Sequence, residues 1–219
     1  MEALRVAQVP TGGFQPSVLT AIIVPILTEE GQVTIGPDER AVVIQDRPSI
    51  VETAQAVAGV LERPRPSEGW IADTLRPGLF PTVIYGFGEE TGLNDGPGPY
   101  FQSRSTPLLS LMGSVSATET HILLTDIPQT HEVVQKLFGV WINGDTLQDG
   151  PLVRYPWGAE AWAYVTHEPE PMRRAIDPLL SEDGYAANLG NRVLLVVDRA
   201  GVQERIREAM RLFAADSIL

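Results

Sequence analysis

Short apolar runs that close on an aspartate alternate three times along the chain with longer stretches of helical spacing. Val42-Val43-Ile44-Gln45-Asp46, Ile122-Leu123-Leu124-Thr125-Asp126 and Leu194-Leu195-Val196-Val197-Asp198 read as strands that stop at a turn. Behind each follow apolar positions at the helical period: Ile50, Ala54, Val57 and Leu61, then Val134, Leu137, Phe138 and Trp141, then Val202, Ile206, Met210 and Phe213. Ahead of each strand stands Pro-[Ile/Leu]-Leu-[Thr/Ser]-x-x-Gly, as Pro25 to Gly31, Pro107 to Gly113 and Pro178 to Gly184. The first and third of these segments end a further helix, over about 16–28 and 170–182. Pro25 and Pro178 should kink or terminate its last turn, and Gly31 and Gly184 are expected as C-terminal glycines. An additional strand precedes that helix, at Arg5 to Val9, Thr82 to Phe87 and Ala161 to Thr166.

The order in each unit is strand, helix, strand, strand, helix. The pattern predicts an α+β chain of three tandem two-layer βαββα units, each a three-stranded mixed sheet with two helices on one face. Their expected limits are 1–63, 82–144 and 145–219, with a Pro/Gly-rich linker over 64–81. The middle unit diverges: Gly86 to Thr106 is rich in Gly, Pro, Asn and Asp, so its first helix is expected to be shortened and replaced by a loop over 86–106. A unit of about 60 residues is near the lower limit for a stable core, and such units gain by docking onto neighbours. Asp46, Asp126 and Asp198 are read as structural helix caps rather than catalytic acids; Pro48 and Pro128 suit a first turn, and Ser49 with Glu52 offers a competing capping box.

Composition narrows the function. Hydrophobic residues at 43% and charged residues at 20% describe a globular chain. The net charge of −12, without a compensating basic run, repels phosphate backbones and makes nucleic acid an unlikely partner. The absence of cysteine removes disulfides, thiolate zinc sites and cysteine nucleophiles. No apolar run approaches the roughly 20 residues of a membrane span.

The search for chemistry returns weak signals. Gly86-Phe87-Gly88-Glu89-Glu90-Thr91-Gly92 has its third glycine misplaced for a dinucleotide loop, two acids where pyrophosphate would lie, and Asn94-Asp95-Gly96-Pro97 after it, which reads as unable to open a helix. Asn94, Asp95, Glu89 and Glu90 miss the spacing of a calcium loop. His121, His131 and His167 lack metal-binding spacing and read as solvated or hydrogen-bonded. The unit order also resembles that of a KH module, but no basic Gly-x-x-Gly clamp lies between its helices. No catalytic, cofactor-binding or metal residue is assigned, and no cofactor is expected. Glu29 and Glu30 recur in place as Glu182 and Asp183, which points to a solvated helix end or shared contact edge, and Tyr100 and Trp157 in Pro/Gly-rich loops are candidate interface anchors.

The ordered pattern of an apolar helix ending in Leu-Leu and Gly, a hairpin, an apolar strand closing on Asp, and a Pro-led helix resembles the repeated N-terminal modules of bacterial secretins, the ring proteins of type II and type III secretion and type IV pilus systems. The likeness is clearest over Arg5 to Leu61 and Trp162 to Phe213 and fainter over Thr82 to Trp141. It implies a non-catalytic, periplasmic or outer-membrane-associated ring or vestibule, with other copies of the chain and further secretion-system proteins as partners. The alternatives are a stand-alone adaptor or peptide-binding protein, cytoplasmic in that case, and an enzyme with a site near the 86–106 loop. The barrel-forming domain of secretins has no counterpart in these residues.

Overall fold

The structure, a computed structural model, describes residues 3–88, 96–143, 150–166, 168–189 and 192–216. Contacts divide the chain into two compact units, Met1–His131 and Glu132–Leu219.

The first unit opens with β1 (Arg5–Pro10), α1 (Pro16–Ile23), β2 (Gln32–Ile35), β3 (Ala41–Asp46) and α2 (Pro48–Leu61). The strands form an antiparallel sheet in the order β1-β3-β2. The expected mixed sheet is thereby corrected: α1 returns the chain so that β2 runs with β1, and the β2–β3 hairpin places β3 between them, leaving no parallel neighbours. Val9, Val42 and Ile44 point from this sheet into a core with Leu19, Ile22 and Ile23 of α1 and Val51, Ala54 and Val57 of α2. As the prolines require, α1 stops early: Pro25 lies within a 3₁₀ turn over Val24–Ile26.

The same unit continues with β4 (Trp70–Arg76), β5 (Thr82–Phe87), α3 (Pro97–Ser105), β6 (Ser114–Ala117) and β7 (His121–Thr125). These strands make a four-stranded antiparallel sheet, β4-β5-β7-β6. Two expectations change here. The middle of the predicted 64–81 linker is strand β4, whose Trp70 and Leu75 read as strand only once β5 is beside them. The predicted 86–106 loop contains a full helix, α3, because Pro97 suits the first helical turn, where its missing N–H is not needed. Gly98 then lets that helix approach the β6–β7 turn: a Cβ there would lie 1.9 Å from the Thr118 carbonyl. The glycine and proline that look like loop punctuation serve start chemistry and close packing.

β5 and β7 are buried along their whole lengths. One face of their sheet packs against the first pair of helices: Ile84 and Leu123, a cross-strand pair, join the core of α1 and α2, and the buried Ser116 hydroxyl donates to the Ile22 carbonyl near the end of α1 at 2.6 Å. The other face carries Tyr85 and Phe87, the ring of the latter tilted against that of Phe101 of α3 at 4.5 Å. α1 and α2 are therefore covered on both sides by sheet.

α4 (Pro128–Phe138) spans the division between the two units. The second unit then holds β8 (Val153–Arg154), β9 (Ala159–Val165), α5 (Pro169–Ile176), β10 (Tyr185–Leu189), β11 (Val193–Arg199) and α6 (Ala200–Asp216). Its sheet is antiparallel in the order β10-β11-β9-β8, so it too has four strands where three were expected, the short β8 being added through a Gly158 turn at φ +88°. Leu194 and Val196 pack with Ile176 and Ile206. Pro178 ends α5 in a 3₁₀ turn over Asp177–Leu179, the counterpart of the Pro25 turn.

Candidate interaction surfaces

Three buried aspartates organise the surface turns. Asp46, at the end of β3, accepts hydrogen bonds from the Thr28 amide at 2.8 Å, the Thr28 hydroxyl at 2.6 Å and the Arg47 amide at 2.7 Å. Asp198, at the end of β11, accepts them from the Ser181 amide at 2.8 Å, the Ser181 hydroxyl at 2.5 Å and the Arg199 amide at 2.7 Å. Asp126 binds the Ser110 amide at 2.8 Å, the Ser110 hydroxyl and the Ile127 amide at 2.7 Å. All three carboxylates are inaccessible or nearly so. Their role is structural, as expected, but capping is not what they do. α2 begins with Arg47 at its N-cap and no side-chain cap bond, and Ser49 and Glu52 form no box there: the Ser49 carbonyl accepts from Thr53, and Glu52 pairs with Arg5. The aspartates instead fasten the turn after the preceding helix to the end of the strand.

Gly31, Gly113 and Gly184 complete these latches. A Cβ on any of them would lie 2.2, 2.3 or 2.0 Å from a carboxylate oxygen of Asp46, Asp126 or Asp198. None has positive φ, so they are not the left-handed C-terminal glycines that the sequence suggests. Hydrogen is the only side chain that leaves room for the buried acid.

The two residues between hydroxyl and glycine face outward. In two latches they are acidic: Glu29 and Glu30 are exposed, as are Glu182 and Asp183, and Asp183 meets Arg199 at 3.3 Å. In the third they are Leu111 and Met112, exposed at 105% and 74%. Leu79, exposed at 85%, and Phe80 lie just before Pro81, whose carbonyl accepts from the Asp126 amide at 3.3 Å. Chain proximity to one latch thus brings four exposed apolar residues to the same end of the β4–β7 sheet, a grouping hidden in sequence because its halves are some thirty positions apart.

Of the two aromatic candidates, Trp157 is exposed on the β8–β9 turn, its ring stacked 4.5 Å from that of Tyr155. Tyr100 is half-buried on α3 beneath the Arg104 guanidinium at 3.5 Å. Glu29, Glu30 and Tyr100 belong to the first compact unit, and Trp157, Glu182 and Asp183 to the second.

Titratable side chains are held for packing. His131 is buried between the Tyr85 hydroxyl, 2.8 Å from Nδ1, and the Pro81 carbonyl, 3.1 Å from Nε2. A carbonyl only accepts, so Nε2 carries the proton and Nδ1 accepts from tyrosine; burial keeps the ring neutral, its pKa lowered despite the bond to Pro81 and the nearby Asp126. His121 is buried beside Thr120, 2.9 Å from its hydroxyl. Burial first and the Arg65 charge second lower its pKa to about 4. Tyr164 donates to Gln203 at 3.1 Å and is raised to about 12, chiefly by burial. Glu170 is lowered to about 2 by hydrogen bonds from Arg173, Arg174 and Asn188. His167, Glu89, Glu90, Asn94 and Asp95 lie outside the described residues, as does the side chain of Phe213. Among the described residues no three acidic or imidazole groups converge as metal ligands, and no helix is long and apolar enough to cross a membrane.

No protein-family profile matches the chain, and no curated protein matches it by sequence. Among solved structures it is similar to N-terminal domains of secretins. The N-terminal domain of the secretin XcpQ from Pseudomonas aeruginosa matches at 16% identity and a TM-score of 0.29, covering 62% of this chain and 59% of that one. A second structure, XcpQN012, matches at 15% identity and a TM-score of 0.28, over 61% of this chain and 60% of that one. Aeromonas hydrophila ExeD matches at 11% identity and a TM-score of 0.25, over 97% of this chain and 41% of that one. The chain thus spans less than two thirds of each of these structures.

Proposed function

We propose that the chain is a non-catalytic building block of a secretin-like machine, three copies of one βαββα module that pack side by side with their counterparts in a periplasmic ring and dock partner proteins there. The observation that carries this reading is the threefold return of a single device. In each copy a buried aspartate, a Ser or Thr and a glycine lock the turn after the first helix onto the end of the third strand of the βαββα core, leaving two outward positions free to vary. Such a device sets the shape of a module while leaving its contact edge to be chosen independently. The copies are assigned to 1–63, 64–144 and 145–219, with β4 counted into the second. Glu29, Glu30, Glu182, Asp183, Tyr100 and Trp157 are the proposed contact residues. Their variety suits a ring in which each layer meets a different neighbour, since charged rims set register while apolar and aromatic anchors supply affinity.

The test is the size and cell fraction of the endogenous polypeptide, followed in envelope and cytosol with an antibody against this chain. An envelope-bound assembly far larger than the 23.8 kDa of these residues is the expected outcome. A monomeric cytosolic band of that mass overturns the ring reading and leaves a stand-alone adaptor.

A further inference from the structure

β1, β5 and β9 occupy the same place, each pairing antiparallel with the strand that ends on a latch aspartate. The other side of β5 is covered by β4, and the other side of β9 by β8, both antiparallel. β1 has no such neighbour among the described residues and is the edge of its sheet. Its Arg5, Val6, Gln8 and Pro10 are exposed, Val6 at 62%. The Thr11 amide donates to the Arg40 carbonyl at 3.0 Å at the end of the β1–β3 ladder. The alternation of antiparallel bonding therefore turns the amides of Ala7 and Val9 toward β3 and those of Val6 and Gln8 away from it. Pro10, which has no N–H, falls in the outward set, where the ladder needs no donor.

We infer that the outer edge of β1 is a docking site for an extended, neutral-to-basic segment of another polypeptide, added antiparallel as a fourth strand. The protein itself shows what belongs there, because it fills the equivalent edge twice with an antiparallel strand. Val6 and Gln8 offer donors and acceptors in the alternation such a strand would pair with. The usual protections of an exposed edge are sparse: β1 pairs with β3 without a bulge, and Arg5 is its single charge. Charge selects the partner. A chain at −12 attracts a basic segment, does not oppose a neutral one, and disfavours pairing this edge with a second copy, and a six-residue edge offers far less than the roughly 800 Å² per partner of a stable dimer. The inference stands on this sheet alone and does not require the ring reading.

The experiment is residue-resolved hydrogen exchange on the full chain with a short synthetic peptide that alternates Thr and Val between terminal lysines, a glutamate-ended version, and the Gln8→Pro variant. In the free chain the Val6 and Gln8 amides should exchange quickly while those of Ala7 and Val9 are protected. The lysine-ended peptide should slow Val6 and Gln8 exchange roughly tenfold, the glutamate-ended one far less. Gln8→Pro, which removes only an outward N–H, should abolish binding while leaving protection along β3 intact. No protection of Val6 and Gln8 at millimolar lysine-ended peptide overturns the inference, as does protection that survives Gln8→Pro. Protection without peptide that grows with protein concentration would make a second copy the occupant and overturn the partner assigned here.

Discussion

Replacing Asp46 by alanine removes the acceptor of three hydrogen bonds at once, from the Thr28 amide, the Thr28 hydroxyl and the Arg47 amide. Hydrogen bonds to a charged acceptor contribute about 1.5–3 kcal/mol each, and a buried donor left unsatisfied costs about 1–3 kcal/mol. The three donors are only partly buried, so water re-solvates some of what is lost, and the expected loss is about 3–5 kcal/mol. Thr28→Val removes one hydroxyl donor and leaves both amide bonds, for an expected loss of about 1–2 kcal/mol. With Asp46 already alanine, Thr28→Val should cost nearly nothing more, because the hydroxyl has no carboxylate left to bind. Because the chain forms two compact units, one global transition would mix their stabilities. Native-state hydrogen exchange of the β1–β3 ladder amides reads the opening free energy of this part alone. A loss below about 1 kcal/mol for Asp46→Ala, or additive losses in the double variant, would show that the latch does not hold the turn.

The same substitution should act oppositely at two glycines. Gly184→Ala drives a Cβ to within 2.0 Å of the Asp198 carboxylate and should destabilise its sheet by several kcal/mol, while Gly59→Ala, in open space within α2, should stabilise by about 0.5–1 kcal/mol; paired denaturation curves decide both signs. His121 gives a pH dependence. Above its ordinary 6.5 both folded and unfolded chains hold it neutral and its contribution is fully present; as pH falls the unfolded chain takes a proton that the folded chain refuses until about pH 4. Up to about 3 kcal/mol should be lost across that window, and His121→Asn should remove this part of the acid sensitivity in matched urea titrations. Leu111→Ser with Met112→Ser should leave the unfolding midpoint unchanged within about 0.5 kcal/mol, since both side chains are exposed, yet reduce self-association measured by sedimentation.

What the sequence discloses and what it conceals divide along a physical line. The strands closing on Asp46, Asp126 and Asp198 and the helices behind them are legible because period and turn chemistry are local. The task of the aspartates is not local. Each binds a hydroxyl 16 to 18 positions earlier, and its place before a proline- or alanine-led helix imitates a cap. β4 hides among prolines and glycines because an edge strand takes its definition from its neighbour. α3 hides because Pro97 and Gly98 serve start chemistry and close packing in the residue types that usually break structure. Glu29, Glu30, Glu182, Asp183 and Trp157 were readable as surface positions from their surroundings; the apolar end formed by Leu79, Phe80, Leu111 and Met112 needed the fold to assemble it.

The sandwiching of α1 and α2 between two sheets has a consequence for biosynthesis. The chain emerges from the ribosome from its N-terminus, and the helices are complete at Leu61, but Leu123, which closes the core on their far side, is translated some sixty residues later. At about 5–20 residues per second that leaves roughly 3–12 s during which the nascent β1–α2 segment shows an uncovered apolar side. A holdase would find its longest opportunity in that interval, and a synonymous slowdown between the codons for Glu62 and Leu123 should lower the yield of native protein more than the same slowdown placed after the codon for His131.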